Sequence, residues 1–518
     1  MTRRNEAEGM SVPAHALMLQ GTGSDVGKTV LVAGLCRLAR RRGIKVAPFK
    51  PQNMSNNAAV CPDGGEIGRA QALQARAAGL PPHTDFNPVL LKPQSDTAAQ
   101  VIVHGKVRQA AEAADYMSGR GALLTPVLES FQRLTTAYDL ILVEGAGSPA
   151  EVNLRHGDIA NMGFARAAGV PVCLVGDIDR GGVIAALCGT QSVLKRDDPE
   201  DAALIKSFLV NKFRGDVSLF EAGVNVIEEM TGWPCMGVVP WLACVSRLPA
   251  EDAIPANTPA PAGRAKCLKI VAPMMSRMAN FDDADPLRQE DDVDFQFIPP
   301  GTPLPPDADC VILFGTKSSL SDMAFFRQQG WHHDVQAHVR RGGHVLGLCG
   351  GYQMLGRSLI DPDGVDGMAG AMEGLGLLDV ETVMHTNKQT RQVEAVHAAT
   401  GLPIQAYEIH AGVTDGPDCD RPFSLLADGQ TDGAMRADRR VSGTYLHGLF
   451  AKDAFRRSWL AGLTAQSAPN AANDAANDAA LGYAETVDRA LDELADGLEQ
   501  ALDVEALFAH AAPPFQAF

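Results

Sequence analysis

The sequence predicts an α/β protein: two doubly wound, mainly parallel-sheet domains followed by a helical C-terminal tail. Apolar strand-like runs alternate with amphipathic helix-like stretches through both halves of the 518 residues. A Pro- and Ala-rich stretch, "LPAEDAIPANTPAPAGRAKC" (248–267), breaks the alternation, which then restarts. Two glycine clusters, around Gly21 and Gly347, stand where a strand runs into a helix.

A chain of this length exceeds what one hydrophobic core organises. The break divides it into a flexible N-terminus (1–14), a first domain (15–248), a linker (249–266), a second domain (267–465), and a tether with a C-terminal helix (466–518). In the first domain "HALMLQ", "IKVAPFK", "YDLILVEG", "GVPVCLVGDID" and "IKSFLVNKF" are apolar on both faces, as buried parallel strands are. In the second, "LKIVAPM", "CVILFGTKSS", "GGHVLGLCGG", "LLDVETV" and "VSGTYLHGLF" read likewise. "SAPNAANDAANDAALG" (467–482) has too little bulky apolar surface to pack and reads as a tether. Beyond it Val487, Leu491, Leu494, Leu498 and Leu502 recur at helical spacing, giving one stripe to dock on the body.

The formal net charge of −17 argues against a nucleic-acid partner. No apolar run approaches bilayer length, and "MTRRNEAEGMSVPAHALMLQ" lacks the apolar core of a signal peptide, so no membrane partner is expected. The 10 cysteines form no CxxC pair and sit mostly in apolar runs (Cys36, Cys173, Cys188, Cys310). That is the pattern of reduced thiols, and a cytoplasmic location is expected. Nothing in the pattern predicts an oligomeric state.

"LMLQGTGSDVGKTVLVAGL" reads strand, glycine loop, helix, with Gly21–x5–Gly27–Lys28–Thr29 one residue longer than the usual phosphate-loop spacing. Backbone N–H groups of Gly21, Thr22 and Gly27 can converge on phosphate oxygens at a helix N-terminus. Lys28 adds charge at the outer phosphates, and the Thr29 hydroxyl suits Mg²⁺. ATP and Mg²⁺ are therefore the expected cofactors. Glu144 ends the strand "YDLILVEG" beside this loop, where a carboxylate can hold magnesium. Asp177 and Asp179 in "LVGDIDRGG" stand comparably, and Asn211 in "FLVNKFRGD" is placed to read an adenine edge.

Gly347–Leu348–Cys349–Gly350–Gly351 has the strand–turn–helix form of a nucleophile elbow, with sulfur as the nucleophile. The helix N-terminus favours thiolate. The N–H of Gly350, with a second donor near Gly315 in "FGTKSS", can serve an oxyanion. For the base, His447 in "SGTYLHGLF" is preferred over His410 in "AYEIHAG", because it follows an apolar strand and precedes Gly448.

"GLCGGYQMLG" with a downstream "GTYLHG" resembles triad-type glutamine amidotransferases. "GTGSDVGKT", "VEGAG" and "NKFRGD" resemble dethiobiotin-synthetase-like ATP-dependent synthetases. That order, with "KPQNMSNNA", "GGEIGRAQ" and "NPVLLKPQSD" between, resembles the cobyric acid synthase family over residues 15–465. The resemblance implies glutamine- and ATP-dependent amidation of the b, d, e and g carboxylates of adenosylcobyrinic acid a,c-diamide, yielding adenosylcobyric acid, with L-glutamine and a corrinoid polycarboxylate as partners. It makes Cys349 the glutaminase nucleophile and His447 its base. Many relatives carry a Glu two residues after the His; here Leu449 stands there, so the orienting carboxylate is missing from its usual place. Lys50, Gln52, Asn53, Arg69 and Lys92, in the family-like stretches, are candidates for corrinoid carboxylates, and Glu66 for a further magnesium ligand. Cobyrinic acid a,c-diamide synthase and a P-loop ATPase switch are the alternatives.

Overall fold

The computed structural model describes residues 14–94, 98–112, 116, 119–251, 268–367, 369–467 and 482–515. Most of the expected N-terminus, linker and tether lies outside them.

The first domain is built on a six-stranded parallel sheet in the order Cys235–Pro240, Ile205–Phe213, Val172–Asp177, His15–Gly21, Leu140–Glu144, Val46–Phe49. The central strands are buried along nearly their whole length, which is why their sequences run apolar without alternation. Leu19 lies in register with Glu144, so the glycine loop and the glutamate leave the sheet together at its carboxyl edge. There the connections diverge to opposite sides, which opens a crevice.

Between Val46–Phe49 and Leu140–Glu144 the chain adds a small lobe. It has a four-stranded sheet (Gln52–Met54, Val89–Pro93, Ala98–Val103, Lys106–Glu112), a two-stranded ladder (Ala58–Val60 with Glu66–Gly68) and the helix Arg69–Ala78.

The second domain has a sheet ordered Val293–Ile298, Leu268–Pro273, Cys310–Leu313, His344–Leu348, Val441–Thr444, Ala434–Met435, parallel except for the last pair. "LLDVETV" does not extend this layer. It leads into the 17-residue strand Glu381–His397, which forms a long antiparallel hairpin with Pro403–Asp415 in a separate seven-stranded sheet. "VSGTYLHGLF" passes from one sheet to the other: Val441–Thr444 runs parallel to His344–Leu348, whereas His447 pairs antiparallel with Tyr407. This crossing carries His447 to the end of the cysteine-bearing strand.

The C-terminal helix Tyr483–Ala501 docks on the phosphate-loop helix Lys28–Arg41. Val487, Leu491, Leu494 and Leu498 are buried. A methyl at Gly34 would meet Leu498 Cδ1 at 2.4 Å, so this close approach requires glycine. Around the apolar stripe, Arg37 pairs with Asp488 at 2.9 Å and Arg41 with Asp496 at 2.7 Å. No described helix is long and apolar enough to cross a membrane.

Candidate active sites: a phosphate loop and a thiol elbow

Gly27 enters the helix at φ 95°, and a Cβ there would lie 2.2 Å from Asn211 Nδ2, so only glycine fits. Asn211 donates that amide to the Val26 carbonyl at 2.8 Å. It braces the loop, and its Oδ1 and second amide proton are left for an adenine edge. The Thr22 N–H is bonded to the Val175 carbonyl at 2.9 Å. Lys28 Nζ curls onto the Gly23 and Gly147 carbonyls at 2.9 and 3.2 Å. Burial lowers the proton affinity of its ammonium, with Glu144 opposing.

Thr29 Oγ1 lies 2.8 Å from Glu144 Oε1 and 2.6 Å from Glu251 Oε2. A hydroxyl has one proton, so it serves one carboxylate and leaves the other to be neutralised. Lys50 bridges both at 2.8 and 3.0 Å. Burial lowers the Lys50 proton affinity, but Glu144 and Glu251 outweigh it and keep the ammonium charged. Gln74 donates to Glu144 Oε2 at 2.6 Å. Glu251 belongs to the stretch read as linker, and an acid among prolines and alanines carries no signal of such a position. Asp177 and Asp179 accept from Lys212 and Arg214 at 2.9 and 2.7 Å, which anchors a basic loop. Beside the phosphate loop an apolar cleft is lined by Val30, Leu31, Val239, Trp241, Leu494 and Leu498. The C-terminal helix thus forms part of the wall.

Glu66, expected as a further magnesium ligand, lies among lysines. It is buried, and its two oxygens are taken by Lys92 and Lys388. Burial raises its proton affinity, yet Lys388 and Lys92 hold it well below the usual carboxylate range. Lys92 is lowered to about 7 by burial, with Glu66 opposing. The cations expected at the corrinoid are paired too. Lys50 and Lys92 are buried in ion pairs, and the partly buried Arg69 binds Asp282. Gln52 accepts from the Tyr116 hydroxyl at 2.6 Å, and Asn53 donates to Gln71 at 2.9 Å. Unpaired interior charge is costly, so these cations are spent on internal carboxylates.

Cys349 sits between the strand His344–Leu348 and the helix Gly350–Leu355 at φ 49°, ψ −110°, an unusual conformation for a residue with a side chain. The packing enforces it: a Cβ at Gly351 would lie 2.0 Å from the Leu313 carbonyl, and one at Gly347 2.7 Å from the Gly351 carbonyl. From Gly315, a Cβ would stand 3.3 Å from His447 Cε1 and 3.6 Å from Cys349 Cβ. The structure thus brings Gly315, Gly350, Cys349 and His447 together. His410 Nδ1 lies 2.9 Å from the Gly412 carbonyl.

The carboxylate missing from position 449 is supplied by Asp283, whose Oδ2 lies 2.7 Å from His447 Nδ1. Its other oxygen accepts from the Gly448 N–H. Nδ1 must donate, because a carboxylate only accepts, and this leaves Nε2 as the atom that exchanges a proton with the thiol. Nε2 makes no complete hydrogen bond; the thiol acts on the ring from outside bonding geometry, as is common in a resting thiol–imidazole pair. Burial lowers the His447 proton affinity, but Asp283 and Cys349 outweigh it and hold the pKa at about 10. Asp283 precedes its partner by 164 residues, in "RMANFDDADP", so no local motif pointed to it.

Comparison with known proteins follows the same division. A family model described as the CobQ/CobB/MinD/ParA nucleotide binding domain matches residues 17–256, and one described as the CobB/CobQ-like glutamine amidotransferase domain matches residues 269–455. A cobyric acid synthase of Hyphomonas neptunium is 63% identical over 501 residues, covering 97% of this chain and 98% of that protein. Those of Cereibacter sphaeroides (strain ATCC 17023) and Paracoccus denitrificans are 60% and 59% identical, each covering 96% of this chain and 99% of the relative. Identity this deep along nearly the whole of both chains, joined to a thiol elbow and a phosphate loop on adjoining domains, makes this chain a member of the cobyric acid synthase family, a carbon–nitrogen ligase that takes its nitrogen from glutamine.

Proposed function

We propose that the chain uses ATP and glutamine to amidate the b, d, e and g carboxylates of adenosylcobyrinic acid a,c-diamide, giving adenosylcobyric acid. The observation that carries this reading is the Cys349–His447–Asp283 relay on one domain together with a phosphate loop carrying Lys28, Thr29 and Glu144 on the other.

Cys349 Sγ attacks the glutamine carboxamide carbon with its proton already held by His447 Nε2. With its proton affinity near 10, the imidazole keeps that proton at neutral pH as an imidazolium, balanced by Asp283. The oxyanion takes the N–H groups of Gly350 and Gly315. On collapse, His447 returns the proton to the departing nitrogen, ammonia leaves, and water releases glutamate from the thioester.

In the first domain an acceptor carboxylate attacks the γ-phosphorus of ATP, giving an acyl phosphate and ADP. Ammonia then displaces phosphate to form the amide. Lys28 neutralises the charge that builds on the phosphoryl oxygens. The oxygen donors Thr29, Glu144 and Glu251, two carboxylates competing for one hydroxyl proton, suit a hard divalent cation. No cluster of three or more His, Cys, Asp or Glu forms a preset metal cage among the described residues, which accords with magnesium arriving on nucleotide phosphates. When bound, magnesium would neutralise phosphate charge there.

Mass spectrometry of the a,c-diamide after incubation with ATP, magnesium and glutamine tests the reading. The expected product carries four hydroxyl-to-amine replacements, preceded by a ladder of one, two and three. An unchanged a,c-diamide would overturn it.

A further inference from the structure

Asp283 does not hold its place alone. It lies in the short turn Phe281–Ala284, where Asp282 and Asp283 are adjacent and both buried. Their side chains serve opposite partners: Asp283 turns to His447 in its own domain, and Asp282 binds Arg69 in the first domain. The start of the turn is held across the same boundary. Asn280, at φ 53°, donates its backbone N–H to Asn57 Oδ1 at 2.7 Å, and its Oδ1 accepts from the Ala58 N–H at 3.0 Å.

Arg69 is also the first residue of the helix Arg69–Ala78, whose Gln74 bonds Glu144 at the phosphate site. Asn57 in turn donates to the backbone carbonyl of Glu251 at 2.7 Å. Two neighbouring buried carboxylates repel, and one cation between the domains relieves that repulsion. Without it, Asp282 competes for the imidazole or drags the turn. A displacement near 1 Å in a catalytic relay costs about 10²-fold in rate.

We propose that Arg69 is a positioning residue for the thiol site: by binding Asp282 it fixes the turn that sets Asp283 against His447, so the glutaminase is complete only with the first domain docked. This rests on the reading of Cys349 and His447 as a glutaminase. The groups facing His447 are Asp283 and Asp282 from the turn, Cys349 from the elbow, and Tyr407 and His410 from the strand Pro403–Asp415.

The test is steady-state glutamine hydrolysis by the full chain with ATP and corrinoid present. Asp283→Asn, with the wrong side-chain chemistry for the relay, serves as the benchmark. Arg69→Gln is expected to lower kcat by about 10–100-fold with KM for glutamine unchanged. Arg69→Lys, which keeps the charge, restores most of the rate. Asp282→Asn gives a comparable fall, and the double substitution is no worse than the worse single one, because both break the same contact. In ¹⁵N-histidine spectra, Arg69→Gln weakens the hydrogen-bond signature of the His447 Nδ1–H held by Asp283.

Wild-type kcat in Arg69→Gln, or multiplying effects in the double variant, would overturn the proposal. A wild-type chain without glutaminase activity would instead overturn the reading beneath it. If Arg69→Gln does not fold, Asp282→Asn probes the same contact from its other side and carries the test with the same expected fall.

Discussion

Cys349→Ala abolishes amidation driven by glutamine, by about 10⁴-fold or more, and leaves amidation driven by ammonium within about two-fold of the wild type. The strained backbone at φ 49° is set by glycines packed against Leu313 and Tyr352, so an alanine there keeps Cβ and elbow and loses only the sulfur. Without the sulfur no thioester forms, and His447 has no proton to relay. Ammonium supplied from solution enters after that step, as its unprotonated fraction, so the acyl phosphate is still consumed. The measurement is amide formation from each nitrogen source at matched ATP and corrinoid. Retained glutamine-driven activity would show that the elbow is not the nucleophile. Loss with both sources would show that the cysteine serves the first domain's structure.

Lys28→Ala has the complementary effect. Amidation falls by about 10³-fold or more with either nitrogen source, since phosphoryl transfer depends on charge placed at the outer phosphates. The Lys28 ammonium hangs on the Gly23 and Gly147 carbonyls, poised over the loop, and no other cation bonds those oxygens among the described residues. The Cys349 relay does not touch Lys28, so glutamine hydrolysis assayed alone persists. A variant that still forms amides would reduce the phosphate loop to a structural turn. The pair of substitutions therefore separates nitrogen release from nitrogen use.

What the sequence made legible was local. The loop Gly21–Thr29 and the elbow Gly347–Gly351 each need a strand, a few glycines and a helix in immediate succession, so the physics of each is written in consecutive residues. The same holds for the stripe Val487–Leu498, which buries as its period requires. What stayed hidden depends on distant residues meeting. Asp283 reaches His447 across 164 residues of chain, and Glu251, at the start of the stretch read as linker, lies against the Thr29 hydroxyl. Lys50, Arg69 and Lys92 looked like hands for an anionic substrate, since a cation in a sequence does not announce that Glu144, Asp282 and Glu66 have already claimed it. "LLDVETV" read as one more strand of the parallel layer because the rest of Glu381–His397 is mostly exposed or half-buried and mixes polar and apolar residues, unlike a uniform buried strand.

The most direct test of nitrogen passing from the thiol site to the acceptor is an isotope experiment on the intact chain. Glutamine labelled with ¹⁵N in its side-chain amide is supplied with ATP, magnesium and the a,c-diamide, alongside unlabelled ammonium. The corrinoid product is then weighed by mass spectrometry. New amides carrying ¹⁵N are the predicted result; product made wholly from unlabelled ammonium would contradict the account.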